Sequence, residues 1–281
     1  MIVRPAAELD RVALLELFNA SYSDYLVPMR MRAADLEEHL DLNGIDLRAS
    51  RVVHGEGPAA FALVGRRDDR AWIGGMGTHP DHRRRGLGEA ALRAAVTAAR
   101  GEGCGEVRLE VVEGNDRAIA LYAKLGFTRV RELVVAQLDP GDGSSTPVAA
   151  GGTVMQVGDR DAERWVTGHR EGPEPWQRAG AVLERLRERG TALRGIALRR
   201  DGTTAAAAVL RDQDEITGVL QIAAEDAVAA AGLLRAAVRP ERPVRLVNVP
   251  DGDPAAAALQ RLGAHIVARQ YEMRLTEPPA T

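Results

Sequence analysis

The sequence predicts an α/β protein that contains two copies of one fold, each a central sheet flanked by helices. Three observations support this prediction. Strand and helix patterns alternate along the first half of the chain. A segment rich in Gly, Pro, Ser and Asp, residues 139–152, separates two halves of about equal length. Part of the first half recurs in the second half at an offset of 137 residues.

The order of elements in the first half follows from hydrophobic periodicity. Apolar residues at a spacing of three and four predict helices, and short apolar runs bounded by turn residues predict strands. The predicted strands are residues 2–4, 52–53, 59–64, 71–78, 107–112 and 128–138. The predicted helices are residues 9–18, 33–40, 87–100 and 116–124.

The internal repeat is clearest over residues 107–138, which match residues 244–275 without a gap. Identical positions include Val107-Arg108-Leu109 with Val244-Arg245-Leu246 and Leu125-Gly126 with Leu262-Gly263. The apolar stripe of the helix at 118–125 also recurs at 255–262. Two copies of one fold is the economical interpretation, and chance similarity between two alanine-rich helices is the alternative.

Composition and charge narrow the functional class. The chain has 281 residues, 45% hydrophobic and 27% charged, which is ordinary for a globular protein of about two domains. Its 37 basic and 40 acidic residues argue against a generic basic surface for nucleic acid. The single cysteine, Cys104, excludes an intramolecular disulfide, and no run of 18 apolar residues or signal peptide is present. We therefore expect a cytoplasmic protein without nucleic-acid or membrane partners.

The stretch GGMGTHPDHRRRGLGE, residues 74–89, carries the clearest chemical signal. Glycines that interrupt a strand predict a bulge or a close approach of the backbone to a ligand. Gly86 and Gly88 precede a helix, where N–H groups and the helix dipole favour an anion, and three adjacent arginines suit a phosphate. A solvated basic turn is the alternative. The chain has no Gly-Lys-Ser/Thr sequence, and Pro80 breaks a dinucleotide fingerprint.

Two motifs in order resemble those of the GNAT N-acetyltransferase superfamily. Arg83, Gly86 and Gly88 fill the fixed positions of its acetyl-CoA signature, Arg/Gln-x-x-Gly-x-Gly/Ala. Residues 115–127, NDRAIALYAKLGF, resemble its second motif, Asn-x-x-Ala-x-x-Leu-Tyr-x-x-Leu-Gly-Phe. The resemblance covers residues 1–138.

The resemblance implies two tandem GNAT-like domains, each with a mixed, mostly antiparallel central sheet flanked by helices. Residues 1–138 would be a catalytic acetyltransferase domain and residues 139–152 a linker. Residues 153–281 would be a degenerate GNAT-like domain without an acetyl-CoA motif.

The resemblance further implies an acetyl-CoA-dependent N-acetyltransferase. In this family, loop amides bind the pyrophosphate, the pantetheine arm pairs with a strand edge, and a tyrosine protonates the leaving thiolate. The implied cofactor-binding residues are Met76, Gly77, Thr78, His79, Arg83, Arg84, Arg85, Gly86, Leu87, Gly88, Glu89 and Asn115. Tyr122 matches the tyrosine acid, although it also lies on the apolar stripe of its helix. Asn115 serves equally well as the N-cap of that helix.

The acceptor is expected to be a primary amine of a small molecule or a protein. In this family the segment after the first helix commonly lines the acceptor pocket, which makes Tyr22, Asp24 and Tyr25 the implied contacts. Asp24 would suit a cationic amine. A packed loop with buried aromatic rings is the alternative.

The general base remains open between Glu110, Glu113 and His79, which lie on or near the strands of the predicted site. A surface position is the alternative for each of them. No metal is expected, because His79 and His82 share a ligand-like spacing that no further Cys, Asp or Glu cluster completes.

The second half lacks the motif residues. At the offset of 137, Arg83, Gly86, Gly88 and Tyr122 correspond to Leu220, Ala223, Glu225 and Leu259. Three roles remain open for this half: completing the acceptor pocket, covering a sheet edge, or forming a homodimer. Two other functions also remain open for the chain. One is a non-catalytic acyl-CoA-binding or interaction module, and the other is a phosphate-binding protein of another fold.

Overall fold

A computed structural model describes residues 1–141, 152–239 and 242–276, which form two compact units. Unit 1 consists of Met1–Val130 together with residues 271–276, and unit 2 is Arg131–Gln270. Most of the predicted linker, residues 142–151, lies outside the described residues. None of the helices in the described ranges is long and apolar enough to cross a membrane.

Unit 1 is a sheet with helices on both faces. Its elements are β1 (Ile2–Pro5), α1 (Arg11–Ser21), α2 (Ala33–Leu42), β2 (Arg51–His54), β3 (Pro58–Arg67), β4 (Arg70–Thr78), α3 (Leu87–Gly101), β5 (Glu106–Val112) and α4 (Asp116–Lys124). Neighbouring strands from β1 to β4 are antiparallel, and β4 and β5 are parallel.

The two faces of β3 explain the layering of unit 1. Ala60, Ala62 and Val64 belong to a core cluster with α3, whereas Phe61 and Leu63 pack into a second cluster with α1 and α2. Because successive side chains of a strand point to opposite faces, an almost entirely apolar β3 needs cover on both sides.

Unit 2 repeats this architecture. The elements that follow α4 are β6 (Thr128–Leu138), β7 (Thr153–Val157), α5 (Asp159–His169), a short 3-10 helix (Trp176–Arg178), α6 (Gly180–Glu188), β8 (Arg194–Arg200), β9 (Thr203–Asp212), β10 (Thr217–Ala224), α7 (Ala227–Ala237), β11 (Val244–Pro250), α8 (Pro254–Arg261) and β12 (His265–Leu275), of which β6 and β12 each extend into unit 1. Strands β7 to β10 are antiparallel neighbours, and β10 and β11 are parallel. The predicted pair of mixed, mostly antiparallel sheets is confirmed.

Each unit takes its last strand from the opposite half of the sequence. Residues 271–275 of β12 belong to unit 1, where β12 follows β5 in the strand order. Residues 131–138 of β6 belong to unit 2, where they pair antiparallel with β11. The predicted bounds, 1–138 and 153–281, follow the sequence halves, and the compact units additionally exchange these two strands.

The predicted elements of the first half are all present; the bounds of 116–124 and 128–138 are matched, and the others shift at one or both ends. Helix α1 begins at Arg11 instead of residue 9, because the Asp10 carboxylate accepts a hydrogen bond from the Ala13 amide at 2.8 Å. Such an N-cap fixes the first turn and leaves Leu9 outside the helix.

Candidate active site

Strands β4 and β5 pair over only part of their length. Their parallel register runs from Arg70 opposite Glu106 to Ile73 opposite Leu109 and ends there. Beyond this point the register between β3 and β4 shifts, so Gly74 forms the predicted bulge. The two strands continue beyond the last pair without pairing, and we term this opening the fork.

Glycines at the fork permit close packing that a side chain would block. A Cβ atom on Gly74 would lie 2.3 Å from the Trp72 ring, and one on Gly77 would lie 2.5 Å from Cβ of Ser21. These approaches explain the glycines that interrupt the strand pattern.

The loop from β4 to α3 forms an uncapped helix start. Gly86 is the N-cap residue of α3, with a φ of 74° and no side-chain cap. Within the described part of the chain, the amides of residues 84–89 donate no hydrogen bond to another residue. A cluster of N–H groups at the positive end of a helix dipole binds anions, and we term this loop the cradle.

The charges around the cradle are mostly basic. Arg84 and Arg85 are exposed. Glu89 lies in the first turn of α3, where its carboxylate binds Lys124 at 2.7 Å and Arg93 at 3.0 Å. Hydrogen bonds from these two cations lower the pKa of Glu89. The one acidic side chain in this turn is therefore neutralised by its neighbours.

Arg83 and Asp24 bind each other. The Arg83 guanidinium donates to both Asp24 carboxylate oxygens at 2.6 and 2.7 Å, and also to the carbonyl oxygens of Ser21 and Thr78. The hydrogen bond from Arg83 lowers the pKa of Asp24. This network joins the end of α1 to the end of β4. Arg83, which the sequence predicts to bind phosphate, is therefore paired with Asp24, which it predicts to contact the amine acceptor.

Three tyrosines meet at the fork. The Tyr22 hydroxyl donates to the Met76 carbonyl at 3.1 Å and accepts from the Met76 amide at 3.3 Å. The Tyr25 hydroxyl forms hydrogen bonds with the Asn115 side chain and with the backbone of Val112, which ends β5. Burial, followed by the charges of Tyr22 and Tyr25, raises the pKa of Tyr122, so its phenol is protonated at neutral pH. Tyr122 is at once a core residue and a neighbour of the fork.

Asn115 caps α4, as its sequence position also predicts. Its side chain accepts a hydrogen bond from the Ala118 amide at 3.3 Å. The same side chain contacts Tyr25, so the cap also fixes one wall of the fork.

The three candidate bases lie in different surroundings. Glu110 is the first residue of β5 beyond the last pair with β4, and its carboxylate accepts from Nε1 of Trp72 at 2.6 Å. Glu113 accepts from the Tyr271 hydroxyl at 2.7 Å. His79 follows the end of β4 and caps a short 3-10 helix. Glu110 is thus the candidate at the base of the fork.

The sequence did not predict Trp72 or His39 as residues of the site. Nε2 of His39, on α2, contacts the Gly74 carbonyl oxygen at 2.7 Å, and the His39 and Trp72 rings are 6.0 Å apart. Burial lowers the pKa of His39, so the imidazole is neutral and Nε2–H donates to the carbonyl. The signal that could have found Trp72 is its place two residues before the bulge.

The corresponding loop of unit 2 is much shorter. Pairing of β10 with β11 ends at Val219 opposite Leu246, so Val219 corresponds to Ile73 and Leu220 to the bulge at Gly74. Only Glu225 and Asp226 then separate β10 from α7, whereas residues 79–86 separate β4 from α3. The ungapped correspondence of Leu220, Ala223 and Glu225 with Arg83, Gly86 and Gly88 is therefore wrong, because the loop itself has been shortened.

Unit 2 also caps the helix that follows. The Asp226 carboxylate accepts from the amides of Val228 and Ala229, each at 2.8 Å. Hydrogen bonds from Arg200 and these amides lower the pKa of Asp226 to about 2. The start of α7 already holds a negative charge, which opposes a second anion.

In unit 2, a segment of the same unit crosses the opening where β10 and β11 stop pairing. Gln221 of β10 donates to the Arg178 carbonyl at 2.7 Å, and Asn248 of β11 donates to the Gln177 side chain at 3.0 Å. The 3-10 helix Trp176–Arg178 therefore bridges the two strands where they stop pairing.

In the described ranges, no group of three or more His, Cys, Asp or Glu residues could hold a metal ion. Cys104 is buried.

Comparisons with known proteins agree with this geometry. Residues 12–127 match the family model described as acetyltransferase (GNAT) family. The chain is 39% identical over 69 residues to the [Ribosomal protein bS18]-alanine N-acetyltransferase of Escherichia coli strain K12, which covers 25% of this chain and 47% of that protein. It is 46% identical over 55 residues to the N-alpha-acetyltransferase RimI of Mycobacterium tuberculosis, which covers 20% and 33%. The chain thus spans about half the length, or less, of these relatives.

Solved structures match over nearly the whole chain. A GCN5-related N-acetyltransferase from Sphaerobacter thermophilus superposes with a TM-score of 0.74 at 18% identity, covering 99% of this chain and 96% of that one. A tandem GNAT protein from the clavulanic acid biosynthesis pathway superposes with a TM-score of 0.68 at 19% identity, covering 99% of both chains. Residues 12–127 are therefore similar to the GNAT acetyltransferase family, and the chain as a whole has the fold of a tandem GNAT protein.

Proposed function

We propose that the chain is an N-acetyltransferase that uses acetyl-CoA and acetylates a primary amine in unit 1. The cradle beside the fork is the observation that carries this proposal. The relatives named N-acetyltransferases support the reaction type.

The residues at the cradle and the fork fit acetyl-CoA. Free amides at residues 84–89, with exposed Arg84 and Arg85, suit a diphosphate. Among the residues that the structure describes, none forms a strand beside β4 beyond Ile73 on the β5 side, which suits an extended arm with amide groups. A Cβ atom on Gly88 would lie 2.9 Å from Oγ1 of Thr78, so the first turn of α3 approaches the end of β4 closely.

Acetyl-CoA supplies an acetyl group activated as a thioester. The Met76 amide polarises the thioester carbonyl. Glu110 accepts the proton that the substrate ammonium must lose, directly or through water, and the freed amine forms the new N–C bond. The C–S bond breaks, and the protonated phenol of Tyr122 gives its proton to the thiolate. The nitrogen loses its second proton as the amide forms, and this proton restores the Tyr122 phenol. Among the open base candidates we favour Glu110 because it lies where the strands part.

We propose a primary amine as the acceptor. Protein N-termini are the first acceptors to test. The relative from Escherichia coli is named for an alanine of a ribosomal protein. A panel of peptides with free N-terminal alanine, together with polyamines and amino acids, covers both acceptor classes.

Unit 2 is proposed to bind no acetyl-CoA. Its short loop, the Asp226 cap and the bridged strands support this part of the proposal. Calorimetry with CoA should therefore give one site per chain. Two equivalent sites would contradict the assignment.

A matched pair of glycine variants tests the cradle. Gly86 and Gly103 both adopt positive φ, 74° and 88°, and an added Cβ at either would meet nothing within 4 Å. Both Gly86→Val and Gly103→Val should therefore lose similar stability, about 1–2 kcal/mol. Only Gly86→Val should lose CoA binding, by at least about tenfold, because the strained loop can no longer aim its amides. Equal CoA affinity in the two variants would refute the cradle.

A thiol-release assay against the amine panel separates the enzyme from a binding module. The proposal requires CoA release that depends on the acceptor. CoA binding without turnover on any amine would instead favour a non-catalytic acyl-CoA-binding module.

A further inference from the structure

We propose that Trp72 is a positioning residue for Glu110, which holds the carboxylate at the fork and keeps it ionised. This inference rests on the proposed function, in which Glu110 accepts the ammonium proton. No motif of the sequence points to Trp72.

The contact is short and its donor is fixed. Nε1 of Trp72 lies 2.6 Å from Oε2 of Glu110, a distance typical of a hydrogen bond to a charged acceptor. The Trp72 side chain is only 3% exposed, so packing determines where its N–H points. Glu110 as a residue is half-buried, and its second carboxylate oxygen, Oε1, is buried.

The bulge of β4 seats the indole. A Cβ atom on Gly74 would lie 2.3 Å from Cζ3 and 2.7 Å from Cε3 of Trp72, so the ring lies directly against this glycine. The neutral His39 holds the Gly74 carbonyl at 2.7 Å and packs against the ring from α2. The bulge at Gly74, where β4 and β5 separate, therefore also places the N–H of Trp72 next to Glu110.

The indole favours one charge state of the carboxyl group. Burial alone raises a carboxyl pKa, whereas a donated hydrogen bond stabilises the carboxylate and lowers it. An indole N–H can donate but cannot accept, so it stabilises only the form that acts as a base.

Other charged side chains on this face of the sheet form ion pairs with one another. Arg108 of β5 binds Glu106 at 2.6 Å and Glu272 of β12 at 3.2 Å. His39 of α2 is neutral, and the phenols that approach from α1 and its following loop, Tyr22 and Tyr25, have raised pKa values because of burial.

The test uses Trp72→Phe in the full chain, which keeps an aromatic ring and removes the donor. Carbon-13 NMR of the glutamate carboxyl groups, with Glu110→Gln to assign the signal, measures the Glu110 pKa without any ligand. We expect a rise of about one unit, a tenfold change in the acid dissociation constant. The low-pH limb of kcat/KM should shift by the same amount, while the Kd for CoA stays within about twofold.

Trp165→Phe is the matched control. Trp165 stacks on His169 in α5 of unit 2, and its loss should change neither the Glu110 pKa nor the pH profile. If Trp72→Phe does not fold, benzothienylalanine at position 72 keeps the ring size and replaces the N–H by sulfur.

The outcomes separate the inference from the proposed function. An unchanged Glu110 pKa in a folded Trp72 variant overturns the inference. A shifted pKa with an unshifted rate profile supports the inference and refutes the assignment of Glu110 as the base in the proposed function. An unmodified chain that neither binds CoA nor releases thiol would refute the proposed function, whatever the NMR titration reports for Trp72 and Glu110.

Discussion

The Tyr22 hydroxyl holds both main-chain groups of Met76, a pairing that a neighbouring strand would otherwise supply. A ligand that pairs with the β4 edge at Met76 must displace at least one of these bonds. Tyr22 therefore stabilises the free protein at the expense of binding.

Removing this hydroxyl should strengthen ligand binding. Tyr22→Phe is expected to bind acetyl-CoA about two- to fivefold more tightly. The ligand then no longer has to replace a hydrogen bond between Tyr22 and Met76, which is worth about 0.5–1 kcal/mol net. Calorimetry measures the change. Tyr25→Phe is the control, because Tyr25 contacts Val112 and Asn115 instead of Met76. Weaker binding by Tyr22→Phe would show that the phenol assists the ligand.

At the residue scale, prediction from sequence succeeded where the signal is local. The cap at Asn115 and the bulge at Gly74 follow from residue type and neighbours. The contact of Trp72 with Glu110 does not, because it depends on the register of β4 with β5 and on the ring crossing the bulge. The pairing of Arg83 with Asp24 likewise joins distant parts of the chain.

At the element scale, two helices that follow a bulged strand begin in opposite ways. Helix α3 starts at Gly86 without a side-chain cap, and α7 starts at Asp226 with its carboxylate on two amides. An ungapped alignment could not reveal this difference, because the loop before α7 lost residues while the helix pattern persisted.

The Asp226 cap should contribute pH-dependent stability. Its folded pKa of about 2 lies below the ordinary value near 3.8, so its contribution is complete above about pH 5 and is lost as the pH falls toward 2. Asp226→Ala should lower the free energy of unfolding at pH 7 by about 1 kcal/mol and flatten its dependence on pH between 5 and 3. Urea unfolding at several pH values measures both effects.

Asp226→Asn separates the cap from the charge, because an asparagine oxygen still accepts from the amides of Val228 and Ala229. It should retain most of the stability at pH 7 and lose the part of the pH dependence that Asp226 contributes. An unaltered pH dependence in both variants would contradict the assignment.

At the scale of the whole molecule, the sequence predicted the tandem fold but not the exchange of strands. The repeat and the alternating patterns depend on short-range periodicity, which a single sequence displays. Which strand completes which unit depends on pairing between residues that are far apart in the sequence.

Truncating the chain within β12 should show that unit 1 depends on this strand. Tyr271, Met273 and Leu275 are buried in the core cluster that includes α3, so ending the chain at Gln270 should destabilise unit 1 by about 5 kcal/mol. Thermal unfolding, followed together with CoA binding, measures the loss. Ending the chain at Thr276 keeps β12 and should change neither quantity. A chain ending at Gln270 with unaltered stability would show that unit 1 is complete without β12.

The position of residues 271–275 also orders events during synthesis. β5 leaves the ribosome long before its neighbour in β12, a delay on the order of 10 s at ordinary translation rates. Throughout that interval the nascent first half carries an open sheet edge, which invites pairing with other chains. A first half made without residues 271–275 would keep this edge open.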